Sequence, residues 1–293
     1  MVAVAANVTI AAAKGAAGLI TGSSSMLAEA AHSIADTVNQ SMLLLSLRLA
    51  RRPPDDEHPF GYGKEPYFWT LLAAVVVFLA GAVFAIGQGV LEIVKRGEEK
   101  GFWLALGTMG VAFLAEGWSF VRAIRQTRAR AKEAGEDLVS YVRLSKDPTV
   151  KAVVSEDSAA LVGLVIATAG LTLAHVTGNP VFDGAGAVLV GVLLIVVAWL
   201  LGHDTKGLLL GEAAPTRERE RLRAVFDRHH GIAELRDLRT MYVGPDSLLV
   251  AARVELRDGL STDEVEDAAS ELERELREAV DTVQHVFLDP TRG

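Results

Sequence analysis

The chain runs through long apolar stretches separated by short polar ones and closes on a charged tail. A helix that crosses a bilayer needs roughly 20 mostly apolar residues. Six stretches qualify: Ala3–Ile20, Met26–Leu49, Tyr67–Val94, Phe102–Ile124, Thr149–His175 and Val181–Leu201. The connection Thr21–Ser25 is tight and uncharged, which makes the first two helices antiparallel neighbours. After Gly211 the periodicity changes. Thr216–His230 reads as a helix, and Leu235–Val243 and Ser247–Leu256 as a hairpin about Gly244-Pro245-Asp246. Ser261–Val280 reads as an amphipathic helix with Ser261 and Glu264 in a capping box, and Val283–Leu288 as a last strand. The expected fold is therefore an α-helical membrane protein. A six-transmembrane-helix bundle over residues 1–208 precedes a small cytoplasmic α+β domain over 212–293, ordered α-β-β-α-β and ferredoxin-like.

Composition sharpens this division. Half of the 293 residues are hydrophobic but only 6% are aromatic, so the apolar content is mostly small and aliphatic, as suits closely packed membrane helices. From Glu212 onward 19 acidic and 12 basic residues carry a net −7 of the chain's −8, which leaves the first 211 residues nearly neutral. Nothing in that balance suggests nucleic acid. The absence of cysteine removes disulfides, thiolate metal sites and cysteine nucleophiles together, so any metal must be held by His, Asp and Glu. The N-terminus lacks a basic leader and a small-residue cleavage site and reads as a helix that is retained. Basic residues gather in the loop Arg51–Glu65 and in RAIRQTRARAK after the fourth span, which places these segments and both termini in the cytoplasm, in a cell membrane. Lys95–Lys100 fits that rule least well.

Candidate chemistry lies where the spans are not apolar. His32 and Asp36 are four residues apart on the second span, with Cβ atoms roughly 5–6 Å apart on one helix face. On a soluble helix such a pair means little. Within a bilayer an Asp costs about 2.5–3.5 kcal/mol at the centre and survives mainly for function. Glu156 and Asp157 open the fifth span, either as first-turn acids favoured by the helix dipole or as part of a site. Glu116 lies mid-span in the fourth, where no end effect accounts for it. Lys14 can snorkel or pair with Glu29, and Asp183 reads as a cap on the sixth helix. There is no P-loop, GxGxxG, HExxH or catalytic-triad spacing, so the chain does not read as an enzyme.

With these residues in place the chain resembles the cation diffusion facilitator family of zinc transporters. The likeness covers six spans, HxxxD at His32 and Asp36, the acid Asp157, HPFGYGKE at His58–Glu65 and the α-β-β-α-β tail. That loop and KDPTVKAVVSEDSAAL are similar to the branch of the animal mitochondrial zinc exporter. The resemblance implies a homodimer in a lipid bilayer that exchanges a divalent cation, Zn2+ first, for protons, with no prosthetic group. It implies metal ligation by His32, Asp36 and Asp157. The family's usual fourth ligand position holds Val153, which leaves Glu116, Glu156 or a water to complete the shell, Glu116 being preferred. The loop keeps Asp55 and His58 but has Tyr62 in place of a second His, and the tail has Arg236, Arg253 and Phe287 where relatives carry His, with only Asp289 matching and His285 nearby. The tail is thus expected to dimerise without the family's paired metal site. A membrane metal sensor or a non-transporting dimer partner is the rival reading.

Overall fold

The structure, a computed structural model, describes residues 2–95, 101–133, 135, 137–144 and 148–291, with side chains except for 2–6, 143–144, 148–149 and 152–153. Residues 96–100, Lys146, Asp147 and the Val153 side chain lie outside the described residues. The chain divides into two units, Met1–Leu47 with Pro66–Lys206 and Arg48–Glu65 with Gly207–Gly293.

The first unit is built from long helices. They are α1 (Val2–Thr21), α2 (Ser24–Leu49), α3 (Glu65–Leu72) continuing through a π-helical stretch (Ala73–Phe78) into α4 (Leu79–Lys95), α5 (Phe102–Glu133), α7 (Pro148–Thr177) and α8 (Val181–Leu210), with the short α6 (Leu138–Leu144) before α7. Glu65–Lys95, Phe102–Glu133, Val154–Thr177 and Val181–Leu210 are long and apolar enough to cross a membrane by length and composition. α2 falls short of that measure because it carries Glu29, His32, Asp36, Asn39 and Arg48. At 1.5 Å per residue α7 and α8 are about 45 Å long, more than the roughly 30 Å of a hydrocarbon core. Large apolar side chains such as Leu19, Trp103, Leu114 and Trp199 face outward, as expected where lipid replaces water.

The interior is made largely of small residues: Ala28, Ala85, Ala105, Ala112, Ala167 and Ala187 pack with Met26, Met109, Leu164 and Leu171. Small side chains let backbones approach, the main source of attraction between helices in lipid. The closest case is α4 against α8, where a Cβ at Gly89 would stand 2.4 Å from the Gly184 carbonyl oxygen. At one end of the bundle Asp183, in the first turn of α8, accepts from the Ser23 hydroxyl at 2.9 Å, the Ser24 and Ser25 amides and the Ser25 hydroxyl. Asp183 therefore caps the start of α2, where the sequence placed it as a cap on its own helix. The orphan amides of a helix start need such an acceptor.

The second unit is a small α+β fold: α9 (Thr216–Arg228), β1 (Ile232–Gly244), β2 (Ser247–Leu256), α10 (Thr262–Ala279) and β3 (Val283–Thr291). The sheet order is β1-β2-β3, with β1 and β2 an antiparallel hairpin and β3 parallel to β2 after the α10 crossover. Leu248, Val250, Ala252 and Val254 alternate into the core with Leu222, Phe226, Tyr242, Leu272 and Leu276. Ser261 and Glu264 form the expected capping box, Ser261 N to Glu264 Oε2 2.8 Å and Glu264 N to Ser261 Oγ 3.4 Å. β1 begins three residues earlier than the alternation indicated, because register shifts at Ile232/Glu234 and Leu235/Asp237 break the two-residue period there. β3 runs through Pro290, which an edge strand tolerates. The loop Arg51–Glu65 belongs to this unit; Phe60 packs edge-on to His285 and Phe287 of β3, ring centroids 5.3 and 6.1 Å apart.

Candidate functional site

One face of α2 carries a stripe of buried polar side chains. His32 is 0% exposed and Asp36 8%, and His32 Nε2 lies 3.1 Å from Asp36 Oδ2, an ion-pair distance without hydrogen-bond alignment. Among the described residues His32 Nδ1, Asp36 Oδ1 and Asn39 Oδ1 are buried with no hydrogen-bond partner. Buried acceptors without donors are rare in folded proteins and each needs an explanation.

α7 brings the acids to this face. Glu156, 3% exposed, accepts a hydrogen bond at Oε1 from Asn39 Nδ2, while Asp157 Oδ2 accepts from Ser119 Oγ on α5 at 3.4 Å. The two adjacent carboxylates thus turn toward different helices, as the roughly 100° step between neighbours on a helix requires. Asp36, Asp157 and Glu116 line one cavity of about 420 Å³ together with Ser33, Ser119 and Arg122. His32 stands behind Asp36, and Glu156 is held beside Asn39.

Glu116, preferred from the sequence as the completing ligand, has another partner. Lys14 Nζ donates to Glu116 Oε1 at 2.7 Å, to Glu29 Oε2 at 3.1 Å and to Ser33 Oγ at 2.9 Å. The expected pairing of Lys14 with Glu29 is present, and Glu116 joins it. Asn39 and Ser119 were not singled out from the sequence. The available signal was spacing: Asn39 is seven residues after His32 and Ser119 three after Glu116, so each shares a helix face with a candidate ligand.

Counting formal charges, Lys14 and, at the cavity wall, the exposed Arg122 stand against Glu29, Asp36, Glu116, Glu156 and Asp157. Lys14 and the acids are more than four-fifths buried except Asp157, which lines the cavity. An uncompensated buried carboxylate costs several kcal/mol even after relaxation. The arrangement is stable only with added positive charge, from protons or from a cation. Imidazole and carboxylates are ligands for Zn2+ and for Mn2+, Fe2+, Co2+ or Ni2+.

Outside the helices, the loop and tail positions at which the family resemblance would put further metal sites, read from the sequence as weakened or lost, are occupied by protein contacts. Tyr62 Oη donates to Asp55 Oδ2 at 2.6 Å, and the Glu57 and His58 amides donate to Asp55 Oδ1 at 3.1 and 2.7 Å. The Tyr62 hydroxyl, with the His58 amide, holds the Asp55 carboxyl below the usual carboxylate range. Asp55 here closes its own loop. Arg253 Nε donates to Asp289 Oδ2 at 2.8 Å, and Arg236 bridges Glu234 and Glu255, so cations of the chain itself meet the acids of this sheet face.

A cluster not foreseen from the sequence joins His229 and His230 to Glu271. His229 Nε2 and His230 Nδ1 lie 4.0 and 3.6 Å from Glu271 Oε2. The Gly231 amide donates to His229 Nδ1 at 3.2 Å, which leaves the proton of the neutral ring on Nε2. A metal on Nε2 needs the opposite tautomer, with Nδ1 donating to an acceptor. The cluster is set up against metal binding.

Comparison with known proteins agrees with this architecture. Residues 1–210 match the cation efflux transmembrane domain and residues 214–289 the cation efflux protein cytoplasmic domain. Metal tolerance protein C4 of Arabidopsis thaliana is 34% identical over 230 residues, 78% of this chain and 50% of that protein. The mitochondrial proton-coupled zinc antiporter SLC30A9 of Xenopus laevis is 30% identical over 239 residues, 82% of this chain and 43% of that protein. Cation-efflux pump FieF of Pectobacterium atrosepticum is 29% identical over 263 residues, 88% and 80% of the two chains. The chain thus spans half or less of the length of the first two relatives. Matched by both family domains across nearly its whole length, the chain belongs to the cation diffusion facilitator family of cation-efflux membrane proteins.

Proposed function

We propose that the protein exports a divalent metal cation, Zn2+ in the first instance, across a membrane in exchange for protons. In this reading residues 1–208 form the transmembrane unit. Residues 212–293 form a cytoplasmic dimerisation domain, both termini are cytoplasmic, and the protein works as a homodimer in a cell membrane. His32, Asp36 and Asp157 hold the ion, with Glu156 beside Asn39 and Glu116 at the cavity wall as the acids available to them. The observation that carries the proposal is the excess of carboxylates, Asp36, Glu116 and Asp157 at one cavity with Glu29 and Glu156 buried nearby, over the cations Lys14 and Arg122. A divalent ion binds only deprotonated carboxylates and neutral imidazole, so its arrival and the departure of protons are linked. When the site faces the side with more protons the linkage runs in reverse and the ion leaves. The zinc and proton coupling named for SLC30A9 support this choice of ion and counter-ion.

The test is reconstitution in proteoliposomes with a metal-sensitive dye and a pH-sensitive dye. Wild-type protein is expected to move Zn2+ and protons in opposite directions, and Asp36→Ala and Asp157→Ala to abolish both signals. Undiminished flux in either variant refutes the site, and metal binding by wild type without flux identifies a sensor. Parallel runs with Mn2+, Fe2+, Co2+ and Ni2+ identify the preferred ion.

A further inference from the structure

The Lys14 ammonium is 1% exposed and sits in an oxygen cage drawn from two other helices: Glu29 Oε2 and Ser33 Oγ of α2 and Glu116 Oε1 of α5, at 2.7–3.1 Å. A brace built to neutralise one lysine needs one carboxylate. This cage has two, and each keeps a second oxygen, Glu29 Oε1 and Glu116 Oε2, that is buried and without a partner among the described residues. Room for the Glu29 carboxylate depends on α7, where a Cβ at Gly163 would lie 2.4 Å from Oε1.

The cage is continuous with the site already described. Ser33 and Glu116 line the same cavity as Asp36 and Asp157. Acceptors without donors recur at Glu29, His32, Asp36 and Asn39, spaced three, four and three along α2. At 1.5 Å per residue that is a track of about 15 Å on one helix face, with Lys14 at the end nearer the start of α2. Oxygen donors that take an ammonium at these distances also suit a divalent ion, which carries the second charge that the spare carboxylate calls for.

We propose that Glu29, Ser33 and Glu116 form a second divalent-cation position on the path of the transported ion, held in this conformation by Lys14 as a tethered cation. The ion advances into the cage when Lys14 withdraws, and the returning ammonium displaces it onward. This rests on the transport reading above for its role in the path, but the cage as a cation position stands apart from it.

The experiment counts bound ions and measures flux on the full chain. In the background Asp36→Asn/Asp157→Asn, with the first site removed, Lys14→Met is expected to bind one more Mn2+ or Zn2+ per protomer by equilibrium dialysis than the same background with Lys14. Adding Glu29→Gln and Glu116→Gln removes that ion. In proteoliposomes the variant Lys14→Met/Glu29→Gln/Glu116→Gln, whose cage is neutral and so does not need the lysine, is expected to transport about tenfold or more slowly than wild type, the scale of a lost charged partner in a buried network. The inference is overturned by a folded Lys14→Met protein with no additional ion, or by wild-type flux in the triple variant, which would make the cage a brace. Absence of flux in wild type, with the additional ion still present in Lys14→Met, defeats the transport reading and leaves the cage standing.

Discussion

The Asn39 carboxamide donates to Glu156 Oε1 across the contact of α2 with α7, tying the helix of His32 and Asp36 to the helix of Asp157. Both residues are almost fully buried, so loss of the donor leaves a carboxylate facing nothing. Asn39→Leu is expected to lower stability by about 1–3 kcal/mol, the cost of an unsatisfied buried group. Flux should fall as well. Asn39→Asp, which places two carboxylates together, should be worse at pH 8 than at pH 6. Thermal unfolding in detergent at both pH values checks this.

Asp183 collects four donors from Ser23, Ser24 and Ser25. Asp183→Asn retains the size but presents an amide nitrogen to some of them. The expected loss is about 1–3 kcal/mol from unpaired groups at the start of α2. Asp183→Leu should lose more. Hydrogen exchange of the first turn of α2, faster in both variants, is the direct readout.

The loop around Asp55 should need no metal. Because the Tyr62 hydroxyl and His58 amide favour the ionised carboxyl, its folded pKa is depressed, and the contribution is present above the ordinary carboxylate pKa and lost as pH falls through the lowered value. Tyr62→Phe should loosen the loop and move that loss to higher pH. Limited proteolysis at Arg51–Glu65 between pH 3 and pH 7, with and without Zn2+, tests both statements. Protection by Zn2+ in wild type would contradict them.

Burial holds the His229 imidazole below the usual histidine range, with its Nδ1 accepting from Gly231. A depressed folded pKa means that the unfolded chain takes up more protons, so this contribution is complete above about pH 6.5 and is lost as pH falls below it. His229→Phe should flatten the pH dependence of unfolding between pH 7.5 and pH 5.5. Ni2+ should move the unfolding midpoints of wild type and His229→Phe by the same amount, in keeping with the wrong tautomer for metal at His229.

What was legible in the sequence was what local period and composition carry. The six long helices, the His32–Asp36 pair, the alternation from Leu248 to Val254 and the capping box at Ser261 all follow from residues within one or two turns of each other. The partner of Glu116 was not legible, since Lys14 is 102 residues away and nothing in either neighbourhood points to the other. Asn39 escaped because an amide is seldom counted among metal-site residues, although its place on the face of His32 and Asp36 was available. The π-helical stretch Ala73–Phe78 has no breaker to announce it, only Ala, Val and Phe. Asp183 was assigned to the right place and the wrong helix, because a carboxylate in a first turn serves any nearby amide, and its own helix is merely the nearest in sequence.

The bonds from Asp183 to Ser23, Ser24 and Ser25 also restrict how the bundle can rearrange. They clasp α2 and α8 at one end, so neither helix can slide along the other without tearing several buried polar contacts at once. Any stroke that carries His32 and Asp36 relative to α8 must then be a swing with its fulcrum at that clasp, small near Ser25 and growing toward the far end of α2.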